Sequence, residues 1–134
     1  MHWKRLSLVS RYATELETSV SSSVVVISYR FQLTITSPTT GYIEALLMFQ
    51  DGSRLSVFEF LRYSSKEVSR EKYRYQLMDS ENKEIFRYDN APHHKSIASF
   101  PHHKHIDTSV YESPAPSLTD IIREIEHRIL GLSP

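Results

Sequence analysis

The spacing of apolar residues along the chain predicts a helix at the N-terminus followed by strands. From Trp3 to Leu16, apolar residues recur at steps of three and four, which predicts an amphipathic helix over residues 1–17. Alternation of apolar and polar residues from Ile27 to Thr36 is instead typical of a half-buried antiparallel strand. The change of period, through a serine-rich segment, marks the boundary between helix and sheet.

Five strands are predicted over residues 24–90. The four that follow the first are Tyr42 to Gln50, Arg54 to Arg62, Tyr73 to Met78 and Glu84 to Tyr88. A three-residue loop ending in a left-handed Gly52 is expected between the second and third strands, because a two-residue loop would set Glu44 opposite Glu59. This register places Glu59 on an apolar face, where a carboxylate needs a partner.

The chain ends in a second amphipathic helix, predicted over residues 117–131 with capping residues at its start and Gly131 at its end. Residues 91–116 contain four prolines and are predicted as a long histidine-rich loop. The predicted fold is α+β, a five-stranded antiparallel meander sheet with an N-terminal and a C-terminal helix, in a single domain of residues 1–134. The second face of the middle strands is also apolar, which requires either a helix on each face or a partner chain, as in a homodimer.

Composition excludes several classes of protein. The 134 residues include no cysteine, which excludes disulfides, thiol catalysis and thiolate metal sites. The charges of the 16 basic and 16 acidic residues cancel, so the net charge is zero and gives no overall electrostatic attraction to nucleic acid. No apolar run approaches the roughly 20 residues that span a bilayer, and no secretory signal is recognisable. We therefore expect a cytoplasmic protein that does not enter the membrane.

The histidine-rich segment contains the strongest candidates for chemistry. Its five histidines are His93, His94, His102, His103 and His105. In an extended segment His103 and His105 project to the same side, a spacing that suits a divalent metal, and His93 or Asp89 could complete three ligands. Histidine also exchanges a proton near neutral pH, so a pair could act as general acid and base. The alternative is a solvated loop without chemistry.

Charged and aromatic residues of the last two strands extend this candidate site. Arg87 is predicted to pair with Glu59 and Asp89, either as a structural ion pair or as an arginine held to bind phosphate. Lys104 is a second cation that could stabilise charge on phosphate. Four further residues belong either to the core or to an aromatic and basic surface typical of single-stranded RNA binding. They are Tyr73, Arg74, Tyr75 and Tyr88.

Two histidine-bearing motifs resemble those of the TumE-type toxin family. They are Phe86-Arg87-Tyr88-Asp89-Asn90-Ala91-Pro92-His93-His94 and Phe100-Pro101-His102-His103-Lys104-His105, accompanied by Asp51-Gly52-Ser53 and Tyr73-Arg74-Tyr75-Gln76. The similarity covers residues 41–125, and Arg74 stands where members often carry a histidine, which weakens a role in proton transfer at that position. Membership implies a prokaryotic toxin that is neutralised by a helix-turn-helix antitoxin encoded beside it.

The leading hypothesis from the sequence is a growth-inhibiting ribonuclease that acts on RNA without a metal. One of His102, His103 and His105 would take the proton of the ribose 2′-hydroxyl. His93 or Tyr75 would protonate the leaving oxygen, while Arg87 and Lys104 would hold the phosphate. No cofactor is favoured. A ribonuclease that uses a divalent metal bound by the histidines is a second form of the same hypothesis. The alternatives are a non-catalytic module that binds nucleic acid or protein, and a metal-binding histidine loop.

Overall fold

A computed structural model describes residues 2–92 and 100–132 of the chain. The described residues form two helices and one seven-stranded antiparallel sheet whose strand order follows the chain from β1 to β7. The elements are α1 (His2–Ser21), β1 (Val26–Ser37), β2 (Thr40–Phe49), β3 (Arg54–Tyr63), β4 (Val68–Met78), β5 (Glu84–Asp89), β6 (His103–Ile106), β7 (Ser109–Glu112) and α2 (Leu118–Leu130). The meander topology and the two terminal helices agree with the sequence-based expectation.

The predicted count of five strands is wrong, because the segment predicted as a histidine-rich loop supplies β6 and β7. Each of these strands has only four residues, too few to show an apolar alternation. Their hairpin turns at Asp107, whose φ of 54° is positive without a glycine to signal it. The strand conformation of β6 comes from pairing with β5, a long-range contact that no local pattern reveals.

Helix α1 continues through part of the serine-rich segment that was expected to break it. The hydroxyl of Thr18 donates to the carbonyl oxygen of Thr14 at 2.9 Å, and Ser19 donates to that of Glu15 at 3.3 Å. These bonds let polar side chains remain inside a helix. Burial of Val20 in the core holds the last turn in place, so packing decides the end of the helix.

Helix α2 begins with a reciprocal capping box. The backbone N–H of Asp120 donates to Ser117 Oγ at 3.0 Å, and the N–H of Ser117 donates to Asp120 Oδ2 at 3.1 Å. Gly131 ends the helix in the left-handed conformation, with φ of 69°. Both ends therefore satisfy backbone groups that would otherwise lack partners.

Both helices pack on the same face of the sheet. This covered face holds the core, in which α1 and α2 contact the inward side chains of β2 to β5. The register between β2 and β3 is the predicted one, because Leu47 lies opposite Leu55, Ala45 lies opposite Val57, and Gly52 has φ of 85°. The hydrophobic pattern and the conformation of the turn therefore both predict the same register for β2 and β3.

The other face of the sheet, here called the open face, carries no helix among the described residues. Five apolar side chains of β2 and β3 on this face are half-buried, and they are Tyr42, Leu46, Met48, Phe58 and Phe60. Of the two alternatives, the described residues do not show a helix on each face, while a partner chain on the open face stays a prediction. Neither helix in the described part of the chain combines the length and apolarity needed to cross a bilayer.

Candidate functional site

Asp89, the last residue of β5, lies at the centre of a polar cluster on the open face. Its Oδ1 atom is 2.6 Å from Nε2 of His103, and its Oδ2 atom is 3.1 Å from Nε2 of His105. Arg87 donates from Nε to Oδ2 at 3.0 Å, and the N–H of Ala91 donates to Oδ1 at 3.1 Å. Arg87, Asp89, His103 and His105 are called the Asp89 cluster below.

The pairing of β5 with β6 assembles this cluster. His103 lies opposite Asp89 and His105 lies opposite Arg87, so alternation places all four side chains on the open face. The two imidazole rings contact edge to face, with centroids 4.7 Å apart. Residues that the sequence separates by more than ten positions are thus brought together by two short neighbouring strands.

The cluster contains the ligand types that bind a metal. One donor atom each from Asp89, His103 and His105 lies within 4.8 Å of the others. His103 is 2% exposed, and its Nδ1 atom lies 2.8 Å from the carbonyl oxygen of Pro101. Because a carbonyl only accepts hydrogen bonds, Nδ1 carries a hydrogen, and Nε2 is the atom turned toward the carboxylate.

A cleft of about 730 Å³ opens beside the Asp89 cluster. Arg74 of β4, which lies directly opposite Asp89, forms part of its wall together with Lys72, Phe58 and Phe100. A second depression of about 460 Å³ continues from Phe58 and Arg74 across the open face toward β2. The cleft is therefore one end of a groove lined by cations and aromatic rings.

Arg87 does not pair with Glu59, so this part of the sequence-based prediction is wrong. Glu59 lies on the covered face, whereas Arg87 lies on the open face, where its contacts are Asp89 and Glu84. The reason is the register of β4 and β5, which pairs Tyr75 with Tyr88 and thus an odd position with an even one. Met78 and Glu84, next to the turn, are both at even positions, and a β-bulge or similar irregularity between Leu77 and Met78 shifts the pairing by one residue. This shift reverses the faces that the prediction carried over from β3.

Glu59 is instead the centre of a buried network of two tyrosines. It is 0% exposed and accepts hydrogen bonds from the hydroxyls of Tyr12 and Tyr75, each at 2.5 Å. Arg70 donates to the Tyr75 hydroxyl at 2.7 Å and to the carbonyl oxygen of Pro116 at 2.6 Å. Burial, and then the nearby Glu59 carboxylate, raise the pKa of Tyr75. Tyr12 and Arg70 were missed because no sequence pattern joins them to Glu59.

Tyr75 is therefore not a proton donor of the Asp89 cluster, and neither Lys104 nor His102 belongs to the cluster. Lys104 lies on the covered face, where its Nζ atom is 2.9 Å from Glu124 Oε2. His102 stacks on Tyr73, whose hydroxyl is 2.8 Å from His102 Nδ1. Burial, assisted by the positive charge of Arg70, lowers the pKa of His102. Lys104 alternates with His103 and His105 along β6 and therefore points to the opposite face. His102 precedes this strand and is placed by its contact with Tyr73.

Of the residues expected to bind RNA, Arg74 alone is exposed on the open face. Tyr73 and Tyr88 are buried in the core, and the Tyr88 hydroxyl donates to Glu124 at 2.6 Å. The other reading of these tyrosines, as core residues, is the one the structure shows. His93 and His94 lie outside the described residues.

The buried tyrosines predict a loss of stability at alkaline pH. Burial raises the pKa of Tyr73 to about 12, so between about pH 10 and about pH 12 the unfolded chain loses a proton that the folded chain keeps. The contribution of Tyr73 to the free energy of unfolding should therefore be at its full value below about pH 10 and should fall as the pH rises. Urea denaturation across this range measures it, and Tyr73→Phe should make the fall shallower. An unchanged pH dependence in that variant would contradict the assignment.

These features define a small α+β protein with a helix-covered core and a polar, cationic cleft on its uncovered sheet face. The family model described as toxin TumE matches residues 12–129, so the chain belongs to the TumE toxin family. It is a toxin, and a toxin of this kind has an antitoxin as its partner. Neither the comparison with curated proteins nor that with solved structures gave a match.

Proposed function

We propose that the protein is a ribonuclease toxin that arrests growth by cleaving RNA in the cleft beside the Asp89 cluster. The observation that carries this proposal is the convergence of two imidazoles, a carboxylate and a guanidinium on one face of the sheet. Proton-accepting groups next to a fixed cation are what phosphodiester cleavage requires. A helix-turn-helix antitoxin would neutralise the toxin, and both would act in the cytoplasm, where the RNA is.

The proposed reaction is an attack by the ribose 2′-oxygen on the neighbouring phosphorus. The cluster takes the 2′-hydroxyl proton, the bond from phosphorus to the 5′-oxygen breaks, and that oxygen receives a proton from water or from an acid in the cleft. The products are a 2′,3′-cyclic phosphate and a 5′-hydroxyl. Arg87, held by Asp89, and Arg74 across the strand would stabilise the charge that develops on the phosphate oxygens.

The open face supports single-stranded RNA as the substrate class. Rings of Tyr42 and Phe58 lie 6.0 Å apart on this face, and Phe58 also borders the cleft together with Arg74. Aromatic side chains beside arginine on a sheet surface allow unpaired bases to stack while cations contact the backbone. A strand of RNA lying along the groove would place one phosphate at Arg87.

The proposal is tested with purified, antitoxin-free protein and a fluorescently labelled single-stranded RNA. Wild-type protein should cleave it to fragments with cyclic phosphate ends. His105→Ala should lower the cleavage rate by about 10²-fold or more, because it removes the more exposed imidazole of the cluster. Lys104→Ala is the matched control, since it alters the adjacent residue on the covered face and should leave the rate within about twofold.

Two outcomes would count against this assignment. The first is RNA that stays intact after incubation with folded wild-type protein, while the same protein still arrests growth in cells. This result would contradict the proposed ribonuclease activity. Growth arrest that survives His105→Ala without RNA cleavage would favour a toxin that acts by binding alone. Circular dichroism of each variant keeps a folding defect from being read as a loss of activity.

A further inference from the structure

The Asp89 cluster brings three possible ligand atoms close together, and this geometry suits a bound cation. Nδ1 of His103 carries a hydrogen because it faces the Pro101 carbonyl oxygen at 2.8 Å. Nε2 of the same ring, which then presents its lone pair, lies 2.6 Å from Asp89 Oδ1. A metal ion beside these two atoms would accept a lone pair from the ring and one from the carboxylate.

The second imidazole supplies a third ligand atom. Nε2 of His105 lies 3.1 Å from Asp89 Oδ2, and one donor atom each of Asp89, His103 and His105 lies within 4.8 Å of the others. A single divalent ion would accept a lone pair from both imidazoles and from the carboxylate at once. In a tetrahedral site with bonds of 2.0–2.1 Å, ligand atoms are about 3.3 Å apart, which small side-chain movements of the cluster would reach.

We propose that Asp89, His103 and His105 form a binding site for a divalent first-row transition-metal ion such as Zn²⁺. Two imidazoles and one carboxylate suit such ions, whereas Mg²⁺ prefers oxygen ligands throughout. Two of the three ligands are buried and all three belong to paired strands, so the ligands are held in position before the ion binds.

The groups around the three ligands resemble the supporting shell of a metal site. The Nδ1 hydrogen of His103 is directed to the Pro101 carbonyl, which fixes the tautomer with its lone pair on Nε2. The Asp89 carboxylate is oriented by the Arg87 side chain and by the N–H of Ala91. Such contacts hold ligands in the geometry that an ion requires.

Three protein ligands leave a coordination position that faces the cleft. Open positions are typical of catalytic sites, in which water or substrate completes the coordination. This consequence rests on the proposed ribonuclease function: an ion held by the cluster would lower the pKa of a water at that position, so that the cluster would take the 2′-hydroxyl proton through that water. The ion itself would bind whether or not RNA is the substrate.

The test is a calorimetric titration of Zn²⁺ into chelator-treated, full-length protein that carries no polyhistidine tag. Wild-type protein should bind one equivalent. Asp89→Asn and His105→Gln, which keep side-chain size, should each weaken binding by about 100-fold or more. His102→Gln is the matched control, because this neighbouring ring lies on the covered face beside Tyr73, and its affinity should stay within about twofold of wild type. Mg²⁺ should give no saturable heat.

Thermal denaturation supplies a second measurement for variants that fold poorly. Saturating Zn²⁺ should raise the melting temperature of wild-type and His102→Gln protein but not that of Asp89→Asn or His105→Gln. Absence of saturable Zn²⁺ binding, or binding of equal strength in Asp89→Asn and His105→Gln, would overturn the metal site.

RNA cleavage is scored separately, so that the metal site and the ribonuclease can fail independently. Cleavage that continues in chelator by protein that binds no Zn²⁺ would overturn the metal site and leave the ribonuclease standing. The opposite result is also possible: the protein binds one equivalent of Zn²⁺ through Asp89 and His105 but leaves RNA intact. This result would support the metal site and contradict the proposed ribonuclease activity.

Discussion

Replacing Asp89 with alanine is expected to abolish growth arrest and to lower RNA cleavage by about 10³-fold. This carboxylate contacts both imidazoles of the cluster and the Arg87 guanidinium, so its loss disturbs all three of these groups. The measurement is the rate of cleavage of the labelled RNA by purified variant protein, alongside growth after induction without antitoxin. Asp89→Asn should fall nearly as far, because a neutral amide does not balance the charge of the Arg87 guanidinium.

A carboxylate elsewhere in the same hairpin provides the control for this substitution. Asp79 lies in the turn between β4 and β5 and accepts hydrogen bonds from the backbone N–H groups of Glu81 and Lys83. Asp79→Ala should lower the melting temperature without changing the cleavage rate of folded protein. If Asp89→Ala retained wild-type cleavage, the Asp89 cluster would not be the site of reaction.

Glu59→Ala is expected to destabilise the fold by about 4 kcal/mol. The substitution leaves the buried hydroxyls of Tyr12 and Tyr75 without their acceptor and opens a cavity between α1 and the sheet. It also removes a negative charge near Arg70, whose guanidinium is partly buried. The free energy of unfolding, measured by urea denaturation, reports the loss.

Glu59→Gln separates the loss of shape from the loss of charge. The amide has the same size and keeps one accepting oxygen, so this variant should lose clearly less stability than Glu59→Ala. Because Glu59 lies on the covered face, folded Glu59→Gln protein should cleave RNA at close to the wild-type rate. Equal stability of Glu59→Ala and wild type would contradict the assignment of Glu59 as the centre of the buried network.

Elements with strong local signals were predictable from the sequence. The capping box of Ser117 and Asp120 and the left-handed Gly131 delimit α2, and Gly52 sets the register of the second hairpin. In each case a few adjacent residues determine the backbone conformation. The existence of both helices and the meander order followed from such local information.

Features that depend on pairing between distant segments were not predictable in the same way. Strands β6 and β7 exist because β5 offers hydrogen bonds to a segment with no strand-like pattern of its own. The partner of Glu59 was misjudged for a related reason, since an irregularity in the pairing of β4 with β5, between Leu77 and Met78, reverses which positions of β5 face the helices. Sequence reasoning named the residues of the Asp89 cluster as candidates but expected a guanidinium at its centre, where the structure has the Asp89 carboxylate.

Both helices shield the side of the sheet that faces away from the cleft, and this arrangement has a practical consequence. The chain lacks cysteine, so one cysteine introduced at an outward position of α1, such as Glu15, would be the sole thiol for attachment to a sensor surface. Molecules tethered there would share one orientation, with their reactive groove turned toward the flowing solution. Capture of RNA or antitoxin could then be recorded in real time without the support obstructing access.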